Sequence, residues 1–292
     1  MSIERSGSVD RTGLDRSRLA TLLADAGWPL PLPIILETTT STNAEVARLV
    51  HSDAPEGTCV VAEEQTAGRG RQGREWVSPP SAGLWMSVLV RPGEVPRSRW
   101  GWLSLLAGLA ARDAITELGR VPVGLKWPND LMATGADPAP GSPPAGAAGS
   151  GTGMRKLGGI LSEACGSPDA PGGEAVIIGI GVNVWLTPQE LPTPQATSLL
   201  VEGGPVDREA LLVAILRHLV ARLAQWRNAD PGLAGDYRAA CVTLGRTVDV
   251  SMPGGRRVHG EAVAIDDDGY LQIISEGNLV SVTAGDVIHA TI

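Results

Sequence analysis

The nine residues 68–76, GRGRQGREW, lie between two runs of strand-forming residues, TCVVA at 58–62 and LWMSVLVR at 84–91. A glycine- and arginine-rich segment between two such runs is a loop hung from a β-sheet, with both ends fixed by the strands. Gly68, Gly70 and Gly73 permit positive φ and close backbone approach, so the loop is expected to turn main-chain N–H groups toward a bound anion. Arg69, Arg71 and Arg74 add charged forks that fit carboxylate and phosphate oxygens. The segment is not a Walker loop, because it lacks the GxxxxGK[ST] ending. It is not a dinucleotide fingerprint either, because no acidic residue follows at the expected distance. A basic surface loop without a ligand is the plainer reading of these nine residues alone.

Outward from the loop, the chain reads as strands mixed with long amphipathic helices. Upstream, residues 34–37 form a first strand, and TTTSTNAEVARLV at 38–50 places Thr42 and Glu45 as a capping box that opens a helix. Downstream, residues 100–118 carry leucines and alanines at helical spacing, for a helix facing the core. Strands recur at 124–127, 157–163 and 176–184. A second long helix begins at an Asp207 cap and carries Leu211, Leu212, Ile215, Leu219, Leu223 and Trp226. From residue 245 on, five short alternating runs at 247–251, 258–265, 271–275, 279–283 and 287–290, separated by turns such as PGG and DDDG, read as a small all-β barrel. Residues 134–155 have almost no large apolar side chain, and are expected to be a disordered surface insertion. Residues 1–33, with a helical candidate at 14–26, are expected to be a short lead-in to a catalytic domain at 34–240. A C-terminal domain then occupies 241–292.

Composition narrows the function classes. The 292 residues are 43% hydrophobic, ample for a core, and the absence of Phe beside eight Trp reads as codon bias. A net charge of −8 argues against non-specific nucleic-acid binding, whose affinity comes largely from Lys and Arg on phosphates. Cys59, Cys165 and Cys241 are widely spaced, as buried thiols in a reducing cytoplasm would be. The four His show no ligand spacing, so no transition-metal site is indicated. The N-terminus has no signal-like apolar region and no run reaches membrane-spanning length, which points to a cytoplasmic protein without a membrane partner.

Two further segments join the loop: KWPND at 126–130, and KLGGILSEA at 156–164 followed by IGIGVNV at 178–184. In this order, from about Glu37 to the C-terminus, they resemble the biotin protein ligases of the monofunctional type, without an N-terminal DNA-binding domain. The resemblance implies an α+β fold: a mixed-sheet catalytic domain of the biotin/lipoate ligase kind and a C-terminal SH3-like β-barrel. It also implies ATP and biotin as substrates with Mg2+ carried by the nucleotide, and a biotin carboxyl carrier domain as acceptor, with no DNA. Where related ligases have a short turn, this chain has the 134–155 insertion.

By that resemblance Ser41, Thr42, Asn43 and Gln65 hold the ureido ring of biotin, and Gly68, Arg69, Gly70 and Arg71 close over biotin and the adenylate linkage. Gly158 and Gly159 let the valeryl chain pass close to a strand, and Lys156 reaches the biotinyl carbonyl or phosphate oxygens. Arg74, Trp76, Lys126, Asn129 and Asn183 take the nucleotide. Arg71, Lys126, Asp130 and Lys156 form the catalytic set, with Asp130 orienting or deprotonating the acceptor lysine. The proline-rich stretch 186–200 resembles the loop that covers the adenylate. The residues alone leave other roles open: helix capping for Thr42, a β-bulge for Gly158 and Gly159, a core anchor for Trp76, a surface lysine at 156, and a salt bridge or turn for Asp130. Competing functions are a lipoate-protein ligase, a biotin-responsive transcriptional regulator and a biotin-sequestering protein.

Overall fold

The structure, a computed structural model, describes residues 11–77, 79–119, 121–135, 153–166, 173–204, 207–283 and 285–289. Its centre is a seven-stranded sheet built from β1 (Ile34–Thr39), β2 (Cys59–Gln65), β3 (Gly83–Val90), β4 (Val123–Lys126), β5 (Asp130–Ala133), β6 (Arg155–Cys165) and β7 (Ala175–Asn183). They are ordered β1-β2-β3-β7-β6-β5-β4, and the β1–β2 pair is parallel while the others are antiparallel.

Strand alternation assigns the two faces of this sheet. Leu84, Met86, Val88 and Val90 of β3, with Val176, Ile178, Ile180 and Val182 of β7, enter one large core. Covering that face are α3 (Trp102–Gly119) and α4 (Arg208–Arg227), which bury Leu103, Leu105, Leu106 and Leu109 of the first and Leu211, Leu212, Leu216, Leu219 and Leu223 of the second. Each such side chain contributes roughly 1.5–3 kcal/mol. The opposite face carries α2 (Thr42–Val50), packed through Val46 and Val50 on Val60, Leu89 and Ile177. The rest of that face is left to a cavity.

Several sequence expectations are corrected. The helical candidate at 14–26 is found as α1 (Arg16–Asp25), shorter than expected, and Leu14, Leu19 and Leu23 are buried in the main core beside α4. Ser41, not Thr42, is the N-cap residue of α2, and Glu45 pairs with Arg48 instead of closing a capping box. The Asp207 cap of α4 forms, accepting from the Ala210 N–H. Two elements escaped the pattern reading, β5 and α5 (Gly232–Ala240). Most of the expected insertion, 136–152, lies outside the described residues, but its last residue, Arg155, is the first of β6.

The five C-terminal strands are β8 (Thr247–Ser251), β9 (Arg257–Ile265), β10 (Leu271–Ser275), β11 (Asn278–Val282) and β12 (Asp286–His289). They form an antiparallel sheet ordered β11-β10-β9-β8-β12, and among the described residues no ladder joins β11 to β12 to close it as a barrel. Its inner side chains, including Val248, Val250, Ala262, Ile265, Leu271 and Ile273, merge with the main core.

Candidate functional site

The cavity on the α2 face of the sheet measures about 310 Å³ and is floored by β7. The IGIGVNV repeat explains its shape: Ile178, Ile180 and Val182 point into the core, so Gly179, Gly181 and Asn183 point the other way. Against these three positions stand three side chains. A Cβ on Gly179 would meet Asn43 Oδ1 at 2.3 Å, and one on Gly181 would meet the Trp76 indole at 3.0 Å. Asn183 is buried and donates from Nδ2 to the Thr197 carbonyl at 2.9 Å. The strand thus orders the site along roughly 13 Å, at about 3.3 Å per residue: Asn43 first, Trp76 next, Asn183 last.

The Asn43 end is polar and fully wired. Asn43 Nδ2 donates to Glu163 Oε2 at 2.6 Å and to the Leu161 carbonyl at 3.3 Å. Ser87 Oγ lies 2.6 Å from Asn43 Oδ1 and 2.7 Å from Thr42 Oγ1. Ser87 has one proton and Asn43 Oδ1 can only accept, so Ser87 donates to Asn43, and the single Thr42 hydroxyl proton is shared between Ser87 Oγ and Gln65 Oε1 at 3.2 Å. Gln65 Oε1 accepts from the Thr42 N–H at 2.9 Å, so that amide of the α2 N-terminus is already taken.

The cationic region is built by a bulge. Lys156 and Gly159 both line the cavity although three residues apart, which plain alternation forbids. Leu131 pairs with Gly158 and Met132 with Lys156, so Leu157 is the extra residue that flips the phase of β6. The Lys156 backbone is pinned on both sides, its N–H donating to Gln195 O and its carbonyl accepting from Thr197 N. Its Nζ donates to Asp130 Oδ1 at 2.5 Å and sits 5.7 Å over the Trp76 ring. Trp76 in turn packs edge-to-face on Trp85, with centroids 6.1 Å apart.

The Gly/Arg loop is less a nest than a short hairpin. Gly70 N donates to Arg74 O and Trp76 N to Gly68 O, with Arg69 bridged to Glu75. Of the three glycines only Gly73 has positive φ, at 72°, beside Gln72 at 55°. The N–H groups of Gly70, Arg74 and Trp76 are taken by the loop's own carbonyls and so do not converge on an anion. The arginines reach further. Arg71 Nη1 donates to Asn129 Oδ1 and to the Gly285 carbonyl, and Arg74 pairs with Asp286 at 2.8 Å. Burial holds the Arg71 pKa below its ordinary value, opposed by the charges of Asp286 and Asp130.

Of the residues expected from sequence, Ser41, Thr42, Asn43, Gln65, Arg69, Gly70, Arg71, Arg74, Trp76, Asn129, Lys156, Gly159 and Asn183 line this one cavity. Gly68, Lys126, Asp130 and Gly158 do not line it. Lys126 faces Asp130 across the β4–β5 hairpin, and burial lowers its pKa against the pull of that carboxylate. Gly158 serves packing: a Cβ there would stand 2.5 Å from the Gly181 carbonyl. Sequence reasoning passed over Ser87, Glu163, Gly179 and Gly181. The alternation in IGIGVNV could have found the glycines, and a lone serine inside GLWMSVLV could have found Ser87.

The Biotin/lipoate A/B protein ligase family matches residues 35–183, and the Biotin protein ligase C terminal domain matches residues 243–290. The chain is 42% identical to the biotin acetyl-CoA-carboxylase ligase of Mycobacterium tuberculosis, over 96% of this chain and 97% of that protein. It is 31% identical to the bifunctional ligase/repressor BirA of Bacillus subtilis, over 85% of this chain and 70% of that one. Among solved structures it is similar to the biotin protein ligase of Aquifex aeolicus in complex with biotin and ATP, with TM-score 0.69, 26% identity, 88% of this chain and 99% of that one.

Proposed function

The chain belongs to the biotin/lipoate A/B protein ligase family, and from that premise we propose that the cavity on β7 is where it activates biotin with ATP and passes it to a lysine. The carrying observation is the order along β7, which sets a saturated polar cluster at one end and lysine and arginine side chains beyond it.

The first step joins the biotin carboxylate to the α-phosphate of ATP and expels pyrophosphate. Two unit anions at ~4 Å repel by about 4 kcal/mol at an effective dielectric of ~20, so positive charge must stand between them. Lys156 and Arg71, lining the cavity, supply it, with Arg69 beside them on the loop over biotin, Arg74, Asn129 and Asn183 toward the nucleotide, and Trp76 between the two substrates. The ureido ring, with two N–H donors and a carbonyl, fits the end holding Ser41, Thr42, Asn43 and Gln65, where an apolar wall would leave its polar groups unpaired. Gly159 leaves room for the valeryl chain; Gly68 and Gly70 carry the loop, and Gly158 keeps β6 close to β7.

In the second step the amine of the acceptor lysine attacks the mixed anhydride, releasing AMP. Asp130 is the carboxylate best placed to orient or deprotonate that amine, once Lys156 turns from it toward the adenylate. Lys126, across the hairpin, adds to the local positive field. The acceptor is a biotin carboxyl carrier domain of a biotin-dependent carboxylase, without DNA as a partner. Magnesium accompanies ATP through phosphates and water. Among the described residues no group of three or more His, Cys, Asp or Glu could hold a metal ion. Residues 34–240 act as the catalytic unit and 241–292 as a C-terminal unit. The three free thiols suit a reducing cytoplasm. Among the described residues no helix is long and apolar enough to cross a membrane.

The testing experiment is exchange of labelled pyrophosphate into ATP with biotin, lipoate or octanoate. Exchange is expected with biotin alone, and Lys156→Ala should slow it about 10²–10³-fold, the usual loss for a group that stabilises transition-state charge. Exchange driven by lipoate instead would move the assignment to the sister activity.

A further inference from the structure

Segment 185–196 forms one wall of the cavity through Pro192, Thr193, Gln195 and Ala196, and its upstream turn is tied to the far N-terminal side of the chain. Arg11 spans the gap. Its Nη1 donates to Glu190 Oε1 at 2.9 Å, and its Nη2 to Glu190 Oε2 at 2.5 Å and to the Trp185 carbonyl at 2.8 Å. The same Glu190 Oε2 accepts from the Thr187 N–H and hydroxyl, so one carboxylate both closes the turn and docks the arginine. The Arg11 side chain is 15% exposed and that of Glu190 34%, so the pair is half-buried, whereas an ordinary surface pair is open to water.

Both ends of this tie are anchored. On the N-terminal side, Arg208 donates to the Thr12 carbonyl and Glu63 accepts from the Leu14 N–H. On the wall side, Leu186 is buried with Trp85, and Leu191 packs on the same cluster as Trp76. The path from Arg11 to the cavity is therefore two residues of turn and two indoles.

We infer that Arg11 is a positioning residue for this wall: by holding the 187–190 turn through Glu190, it keeps the segment over the cavity closed on the adenylate between the two half-reactions. The inference rests on the adenylate-forming reading of the site. A bidentate arginine fork fixes direction as well as distance, which a lysine at the same place would not. The guanidinium also holds the Glu190 carboxyl down to about 2, so the tie stays charged throughout the working pH range.

Two measurements test it. Backbone hydrogen exchange over residues 185–196 of the ligand-free protein should speed up in Arg11→Ala and in Glu190→Gln. In single turnover without acceptor, both variants should release biotinyl-AMP about tenfold faster than the parent, while the rate of pyrophosphate exchange stays within about threefold. The double variant should be no worse than either single one, because both cut the same tie. Arg11→Lys should recover only part of the retention. Unchanged hydrogen exchange, unchanged release, or additive effects would overturn the positioning role. Failure of the adenylation reading shows separately, as a parent protein that exchanges no pyrophosphate with biotin, and the hydrogen-exchange arm stands without that activity.

Discussion

Asn43 is held by three hydrogen bonds within 3.3 Å, and together they leave its amide no room to turn. Its amide faces Glu163 and Leu161 on one side, its carbonyl faces Ser87, and the bare Cα of Gly179 lies beneath. A methyl group on Gly179 would overlap Asn43 Oδ1, and Asn43 could yield only by breaking the bond to Glu163 or to Ser87. Overpacking of this kind costs about 1–3 kcal/mol. Gly179→Ala should therefore raise the KM for biotin about 5- to 100-fold, with the KM for ATP changed much less, in exchange kinetics that vary each substrate in turn. Equal effects on both substrates would place Asn43 away from the biotin end. Of this cluster Thr42 and Asn43 were legible only through the family resemblance, because Thr and Asn at a helix start are common caps, and Ser87 and Glu163 were not read at all. The glycine that makes room for them was not read either, because its reason is a contact with a residue more than a hundred positions away.

At the scale of elements, β12 clamps the loop that names the site in the sequence. Gly285 and Asp286 take Arg71 and Arg74, so the C-terminal sheet fixes two of the three loop arginines. Arg74 is 60% exposed, and an exposed pair is worth about 0–1 kcal/mol. Asp286→Asn should accordingly leave the unfolding midpoint in urea almost unchanged while weakening ATP use several-fold; a large loss of stability would mean that Asp286 has a structural role instead. His289, three residues on, titrates abnormally: burial first, then Lys126 and Arg246, lower it from 6.5 to about 4. Its folded-state pKa lies below the unfolded one, so the stability it lends is present above pH 6.5 and is lost as pH falls through 4. His289→Gln should flatten the decline in melting temperature across that window. The periodic elements around this region were legible: two C-terminal strands fall at 247–251 and 271–275 as the alternation predicts. The four residues of β5 are too few to show a period, and α5 contains Gly232 and Gly235, which oppose a helix until burial of Leu233 and Tyr237 overrides propensity. A β-bulge was open in the sequence at Gly158 and Gly159; it falls one residue earlier, at Leu157, because its place is set by the pairing of β6 with β5.

For the whole molecule, the segment that the sequence offered as a short lead-in is tied into the core. Arg208, 4% exposed at the start of α4, donates to Glu63 on β2, to the Gly83 carbonyl on β3 and to the Thr12 carbonyl of the N-terminal segment. Glu63 also accepts from Leu14 N and Ser81 Oγ. One buried ion pair therefore joins the N-terminal segment, two central strands and the helix layer, and it is surrounded by groups that have no water to fall back on. Removing one partner of such a pair costs about 3–5 kcal/mol, because the other is left charged and unpaired. Arg208→Met should lose about that much in urea unfolding. Glu63→Gln should lose less, since its amide oxygen can still accept from Arg208 and Ser81 in the place of Oε2, and only the Leu14 N–H loses its acceptor. If the N-terminal segment were merely laid on the surface, Arg208→Met would unfold at nearly the parental midpoint and only residues 11–25 would exchange faster. A single cooperative transition shifted as a whole is the result expected of a segment built into the core, and it is the condition under which Arg11 can hold a wall of the cavity from the opposite end of the chain.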